Sequence, residues 1–498
     1  MGRRVVVAGW GQITQRKEQK ERLLEPVGLM RECSLLAGDL AGDRELVEKI
    51  DGIMTPRIMS CCYPNSADLL ARELGASSRF KFVSKIGGNS PQSLVNKAAG
   101  MIARGELDSV LISGAETFYP RSKAACGSQN RLLGPADQEI TDDMIGSTKL
   151  EESHGLTLPI HGFPLYETAF WAESGLDKEA YFAKVGTSWA EFNEAAVNNP
   201  YAWTQTPLTG REIVTPGPTN RYIVFPYTLY MTSLLTADLG SAILLMSEEK
   251  ARRTAPGGRN TVYFMGGGYA EDRQRFFIHK TNFTTSPPMK AAAEKALNRS
   301  RLSIDEIRCF DLYSCFPCAV TMARRMIGIS PTDPRPQTLT GGLGFFGAPA
   351  NNYTTHAIAS LAEEIASGRK ENGMVTALGW FMHKHAAGVY GAEPPDTALD
   401  THDLEDDKAF LAGADPVEAD PTPRGKGMID TYSIPFSRDG SPLYAIVYGK
   451  TEAGKRFVAN TPPDPDMFRR LCTENQVGRA VRLTHDAREN RNIAELLE

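Results

Sequence analysis

The chain has 498 residues, a formal charge of −5, 41% apolar and 23% charged residues, which is too long for one ordinary core and implies about two to four domains. The balanced charge, with no long basic run, gives no support to nucleic-acid binding, and no apolar run reaches the length of a membrane span. Eight cysteines over this length do not form a disulfide framework, so a reducing cytoplasm is the expected compartment.

The opening MGRRVVVAGWGQIT has basic residues before an apolar patch, but the patch is short and runs into Gly9 and Gly11. It reads as a first buried strand, Val5 to Ala8, and not as a signal peptide. The terminal ELLE is not a peroxisomal address. A helix follows over Pro26 to Leu40, then a strand over Ile50 to Met54 and a helix over Asn65 to Leu74 that ends at Gly75. The next stretch, Lys85 to Glu116, is a Gly-rich loop, a helix of about four turns ending at Gly105, and a strand over Ser109 to Ser113. A helix start behind such a loop offers free N–H groups and a positive dipole end to an oxyanion. This alternation predicts a sheet covered on both faces.

From Phe118 to Thr219 the segments are longer and more aromatic, and a helix over Lys178 to Asn198 suggests a helical insertion. The sheet pattern returns in 221–249, with a strand over Ser241 to Met246. Then the order restarts: a strand over Thr261 to Tyr269, a helix over Met289 to Leu297, a strand over Cys309 to Leu312 and a helix over Cys318 to Met326. GGLGFFGAPANNYTTHAIASLAEEIASGRKENGMVTALGW repeats the loop, helix and strand of Lys85 to Glu116. Such a repeat predicts two similar α/β halves whose glycine loops meet at a shared pocket. Residues 392–428 read as a linker. Beyond them a hairpin is expected from Tyr432 to Ser437 and Leu443 to Lys450, then Arg456 to Ala459, a short helix over Asp464 to Cys472, and a last strand over Gly478 to Thr484. That is a small β-barrel of OB-like type.

The stretches GGNSPQSLVNKAAGMIARGELDSVLISGAE, NRYIVFPYTLYMTSLLTADLGSAILLMS, CFDLYSCFPCAV, LTGGLGFFGAPANNYTTHAIA and GMVTALGWFMHKHAAGVYG resemble the thiolase superfamily. They resemble most the subgroup called thiolase-like protein type 1, related to acetyl-CoA acetyltransferases, over almost the whole chain and including an extra C-terminal domain. The resemblance implies the α/β thiolase fold, five-layered, with duplicated βαβαβαββ halves, a helical loop domain and a C-terminal OB-like barrel. Residues 1–120 with 220–250 and residues 260–391 would be the two halves. Residues 121–219 would be the loop domain, 392–428 the linker and 429–498 the β domain.

The resemblance also locates four catalytic loops, and each has lost its chemical residue. Where the family has Cys, another residue and Ser, this chain has Gly88, Asn89 and Ser90. The Gly-His-Pro loop is Gly347-Ala348-Pro349, the Cys-x-Gly loop is Ala377-Leu378-Gly379, and the Asn-Glu-Ala-Phe or His-Asp-Cys-Phe loop is Tyr313-Ser314-Cys315-Phe316. Loss of a nucleophile or its base removes orders of magnitude in rate. Backbone N–H groups of Gly88 and Gly379 could still form the oxyanion hole that the family uses.

Substitute chemistry must come from other residues. His383 and His385, at i, i+2 on an expected strand, would share a face near Gly379, and imidazole is the ready acid or base near neutral pH. Tyr313 and Tyr353 sit at former catalytic loops, and tyrosines serve in thiolase-fold retro-aldolases. Asn351 and Asn352 could bind polar groups of a substrate or set a turn. Ser90 lacks a neighbouring base, and Cys315-x-x-Cys318 lacks the second pair of a metal site, so both read as structural and no metal is expected. The expected function is binding of a coenzyme A thioester as substrate or ligand, without the Cys-His-Cys mechanism. The alternatives are a retro-aldolase or other C–C bond enzyme using Tyr or His, and a non-catalytic acyl-CoA-binding or scaffold protein. No bound cofactor, nucleic acid or membrane is expected, and the chain would be a monomer or homodimer, with or without a partner enzyme.

Overall fold

The computed structural model describes residues 3–19, 23–119, 146–254, 261–397, 399–402, 404 and 410–497. The part of the expected loop domain at 120–145 and of the expected linker at 405–409 lies outside them. The strands are β1 (Val5–Thr14), β2 (Gly52–Thr55), β3 (Phe80–Val83), β4 (Ser109–Thr117), β5 (Tyr222–Phe225), β6 (Tyr227–Thr228), β7 (Asp238–Ser247), β8 (Val262–Asp272), β9 (Phe310–Asp311), β10 (Asn372–Gly379), β11 (Lys384–Gly391), β12 (Leu411–Ala412), β13 (Gly425–Pro435), β14 (Ile446–Thr451), β15 (Arg456–Asn460), β16 (Ala480–Asp486) and β17 (Arg491–Leu496). The helices that bear on the site are α1 (Pro26–Leu40), α2 (Ser66–Glu73), α3 (Ser90–Ala103), α4 (Lys149–Ser153), α5 (Pro159–Ser174), α6 (Lys178–Asn198), α7 (Gly210–Val214), α8 (Glu248–Thr254), α9 (Pro287–Ser300), α10 (Pro317–Ile327), α11 (Tyr353–Ala366) and α12 (Pro465–Thr473).

One sheet runs in the order β3-β2-β4-β7-β1-β8-β11-β10-β9, with β12 beside β8. The repeat seen in the sequence is written in its pairings. In the first half β7 is antiparallel to both β1 and β4, and β2 is parallel to β4. In the second half β11 is antiparallel to both β8 and β10, and β9 is parallel to β10. The halves join where Val6 and Val7 of β1 face Tyr263 and Val262 of β8. Every residue of β4 and β7 is buried, as strands covered on both faces must be.

Helices α3 and α11 lie between the halves, with α1 and α2 outside the first and α9 and α10 outside the second, which makes five layers. All but one residue of α3 is buried, so its polar side chains need internal partners. Gln92 Nε2 donates to Asn96 Oδ1 at 2.9 Å, Asn96 Nδ2 to the Gly268 carbonyl at 3.2 Å, and the Tyr390 hydroxyl to Gln92 Oε1 at 2.9 Å.

The second sheet has the order β14-β15-β17-β16-β13-β5-β6, and pairing of β13 with β14 closes five of its strands into a barrel. The barrel is grown onto the helical insertion: Ile434 and Pro435 of β13 pair with Phe225 and Val224 of β5. Thr168 Oγ1 donates to the Tyr432 carbonyl at 2.9 Å, and Ser433 Oγ to the His161 carbonyl at 2.9 Å. A single apolar cluster runs from Trp171 and Phe225 in the insertion to Tyr448 and Phe457 in the barrel.

The structure differs from the sequence reading at several places, and β3 is a strand that the reading did not indicate. β5 and β6, expected with the first half, extend the barrel's sheet, because β5 pairs with β13 and β6 with β5. β13 begins at Gly425, inside the stretch read as linker. A strand was also not foreseen, β17, whose residues RNIAEL carry little β-branched signal; it is formed by pairing with β16, as at Arg482 and Glu495. Among the described residues no helix is long and apolar enough to cross a membrane. Cys61 is in a disulfide, whereas Cys33, Cys62, Cys309, Cys315, Cys318 and Cys472 are free thiols.

Candidate active site

Two loops end at the N-termini of the two central helices: 84–89 before α3 and 346–352 before α11. They are bonded to each other. The Gly87 N–H donates to Asn351 Oδ1 at 2.9 Å, and Thr354 Oγ1 donates to the Gly88 carbonyl at 3.0 Å. The segment after β9 and the turn between β10 and β11 complete the centre. A Cβ built on Gly88 would stand 2.5 Å from Tyr313 Cζ and 2.7 Å from the Leu378 carbonyl oxygen, with the Tyr313 hydroxyl closer still. A phenol therefore fills the space that a side chain at position 88 would need.

Tyr313 is held from behind. Its N–H donates to Thr376 Oγ1 at 3.0 Å, and its ring meets Tyr353 edge-on at 5.4 Å. Its hydroxyl donates to no described residue. Burial pushes its pKa well above the ordinary phenol value, so the group stays protonated and acts as a hydrogen-bond or proton donor. With Thr376, Ala377, Leu378 and His385 it also borders a cavity of about 10 Å³, room for about one water.

Asn89 is the second unusual group. It stands at the start of α3 without capping it. Its Oδ1 lies in a notch between Gly87 and Gly379, where a Cβ on either glycine would overlap it and stand 3.4 or 3.2 Å from Asn89 Cγ. That oxygen is buried and has no donor among the described residues. Gly87 has φ +151°, a conformation that tolerates no ordinary side chain, so this notch depends on glycine twice over.

The other residues singled out in the sequence are placed as follows. Ser90 Oγ donates to the Lys85 carbonyl at 2.8 Å. Asn351 Nδ2 donates to the Arg57 carbonyl at 2.7 Å, and Asn352 Nδ2 to the Gly114 carbonyl at 2.6 Å. The Tyr353 hydroxyl is shared between Thr340 Oγ1 at 2.5 Å and Asp311 Oδ1 at 3.2 Å. All four are committed to the protein itself. Ala348 is buried, with its N–H on the Leu234 carbonyl at 2.9 Å. Cys315 and Cys318 are buried thiols whose pKa values are pushed up, chiefly by burial, which leaves them inert.

The two histidines do not share a strand face, because His383 lies in the turn before β11 and only His385 is in the strand. That turn is strained: Trp380 and Met382 have φ of 52° and 67°. His385 Nε2 is 3.1 Å from the Met382 carbonyl and 3.2 Å from Ser286 Oγ. The carbonyl can only accept, so Nε2 carries the proton. Burial pulls the His385 pKa down to about 3 and, with the nearby charges of Lys384, Arg275 and Lys280, holds that of His383 well below its usual value. Both rings are neutral at pH 7, and neither nitrogen of His383 has a partner among the described residues.

Sequence reasoning passed over Lys384, which is 3% exposed, pairs with Gly379 across the sheet and points its ammonium at the Ile86 carbonyl, 3.4 Å away. A lysine inside an otherwise apolar, doubly covered strand was the available signal.

Residues 409–488 match the family described as thiolase-like protein type 1 additional C-terminal domain. Among solved structures, the chain is similar to a monomeric SCP2-thiolase like protein type 1 from Mycobacterium smegmatis, with 29% identity over 100% of both chains and a TM-score of 0.84. The fold is shared with an Ltp2-ChsH2(DUF35) aldolase at 20% identity, covering 78% of this chain and 98% of that one with a TM-score of 0.63. It is also shared with acetyl-CoA acetyltransferase from Syntrophomonas wolfei at 15% identity, covering 79% and 100% with a TM-score of 0.57. No curated protein matches the chain in sequence.

Proposed function

Since the chain is a thiolase-like protein of type 1 with the additional C-terminal domain, we propose that it binds a coenzyme A thioester and acts on the acyl group without ever taking it covalently. One observation carries this reading: the place of a side chain at position 88 is filled by the Tyr313 phenol. No thiol stands at the start of α3 to attack a thioester carbonyl. What remains is a donor set. The Gly88 N–H at the head of α3 and the protonated Tyr313 hydroxyl would stabilise an enolate oxygen or deliver a proton, so the reaction class is proton transfer or C–C bond chemistry at the α- or β-carbon. The thioester bond stays intact throughout.

The test is incubation of the protein with a panel of acyl-CoA thioesters in D₂O. Deuterium entry at the acyl chain or a C–C cleavage product is followed by NMR and mass spectrometry, and released thiol by a colorimetric reagent. Exchange or cleavage without stoichiometric thiol release, lost in Tyr313→Phe while CoA-thioester affinity is kept, is the expected result. Thiol release with an acylated protein would sink the proposal. A second reading, a non-catalytic acyl-CoA-binding protein acting alone or with a partner enzyme, draws on the internal commitment of Ser90, Asn351, Asn352 and Tyr353. Binding with no change in any acyl group would favour it.

A further inference from the structure

Resting on the thioester-binding reading above, we infer that Asn89 is a specificity-determining residue that selects acyl thioesters bearing a hydroxyl close to the thioester carbonyl. Asn89 is 4% exposed, and its Oδ1 receives no hydrogen bond from any described residue. A buried carbonyl oxygen without a donor is unfavourable, and native proteins seldom keep one without a use. The usual outlet for an asparagine at a helix start, capping the first turn, is not taken here. Instead two glycines from different halves, Gly87 and Gly379, clear the space that the oxygen occupies.

The position sets what a ligand must offer. Gly87 and Gly88 are chain neighbours with Cα atoms about 3.8 Å apart. Asn89 Oδ1 lies against the first and the Tyr313 hydroxyl against the second. The acceptor and the donor thus lie against neighbouring residues of one loop, Gly87 and Gly88. A ligand whose carbonyl oxygen takes the Tyr313 donor would bring its next carbons to Asn89. A hydroxyl there donates to Oδ1 and removes the unpaired acceptor. A keto oxygen has no proton to give, and a methylene leaves the acceptor buried and unpaired. Sites built around a buried polar group discriminate strongly against ligands that lack its partner. Asn89 cannot ionise, so its role is recognition and not proton transfer.

The experiment measures binding of 3-hydroxybutyryl-CoA (both enantiomers), acetoacetyl-CoA and butyryl-CoA to the full chain by calorimetry. The wild-type protein is expected to bind one hydroxybutyryl enantiomer at least about tenfold more tightly than butyryl-CoA or acetoacetyl-CoA. Asn89→Leu, close in size but apolar, is expected to lose that preference while holding butyryl-CoA as well as before or better. Equal affinities in the wild type, a preference for the keto compound, or a preference that survives in Asn89→Leu each overturns the inference. Should Asn89→Leu fail to fold, the wild-type ratio alone decides, and Asn89→Ala repeats the comparison. Failure of the underlying reading has a different signature, since then neither coenzyme A nor any of its thioesters binds the wild-type protein.

Discussion

The Tyr313 hydroxyl and Gly88 share one space: the phenol lies where a Cβ on the glycine would be, and the Leu378 carbonyl oxygen would stand 2.7 Å from that Cβ. The glycine is therefore a requirement of the packing. Gly88→Ala should cost about 2–3 kcal/mol in chemical denaturation, the usual scale for an overpacked core. In a Tyr313→Ala background the same substitution should cost less than half as much, because the two residues are in contact and their effects do not add. Additive effects would show that the phenol and the glycine do not compete for space.

The two tyrosines of the site should separate cleanly in stability. The Tyr313 hydroxyl has no described partner, so Tyr313→Phe should change stability by no more than about 0.5 kcal/mol. The Tyr353 hydroxyl bonds Thr340 and Asp311, so Tyr353→Phe should cost about 1–2 kcal/mol. Paired urea melts of the two variants read this directly. An equal loss in both would mean that Tyr313 is also a structural donor.

Glu116 supplies a pH dependence. It accepts from the N–H groups of Met59 and Ser60 at 2.8 and 2.7 Å, yet burial raises its pKa to about 8. A carboxyl whose folded pKa lies above its unfolded value of about 4.3 holds its proton better in the folded state. Its contribution is whole below about pH 4.3 and is lost as pH rises through about 8. Glu116→Gln keeps the neutral shape and removes the titration. The difference in melting temperature between Glu116→Gln and wild type should grow in favour of the variant from pH 5 to pH 9, by at most about 5 kcal/mol in stability terms. A flat difference over that range would place the Glu116 pKa elsewhere.

The barrel should not be removable. Truncation before Gly425 would leave β5 without its partner strand, expose Trp171 and Phe225, and strip the Tyr448 hydroxyl from Glu151 Oε1, 3.1 Å away. The full chain should show one main calorimetric transition, and residues 1–424 should be insoluble on expression. A soluble truncated chain with its own cooperative melt would show that the barrel is an independent appendage.

Much of the fold was legible. Helices α1 and α6 fall on the residues that the sequence pattern indicated, and the repeated loop, helix and strand announced two halves. Local signals of this kind act within a few residues, so a sequence displays them. β17 was not legible, because a half-buried, weakly patterned segment becomes a strand only when β16 lies beside it. β5 belongs to the barrel for the same reason.

The site divides along the same line. The residue types themselves, Gly88, Ala348, Ala377 and Tyr313 among them, could be read from the chain by itself. Which of the remaining candidates has a free polar group could not. Asn351, Asn352 and Tyr353 looked as available as Asn89 and Tyr313, and only the packed structure spends the first three on Arg57, Gly114 and Asp311. Hydrogen bonds between residues tens to hundreds of positions apart decide availability, and burial decides protonation. Both are properties of the assembled core, so the residue types came from the sequence while their chemical freedom was set by tertiary contact.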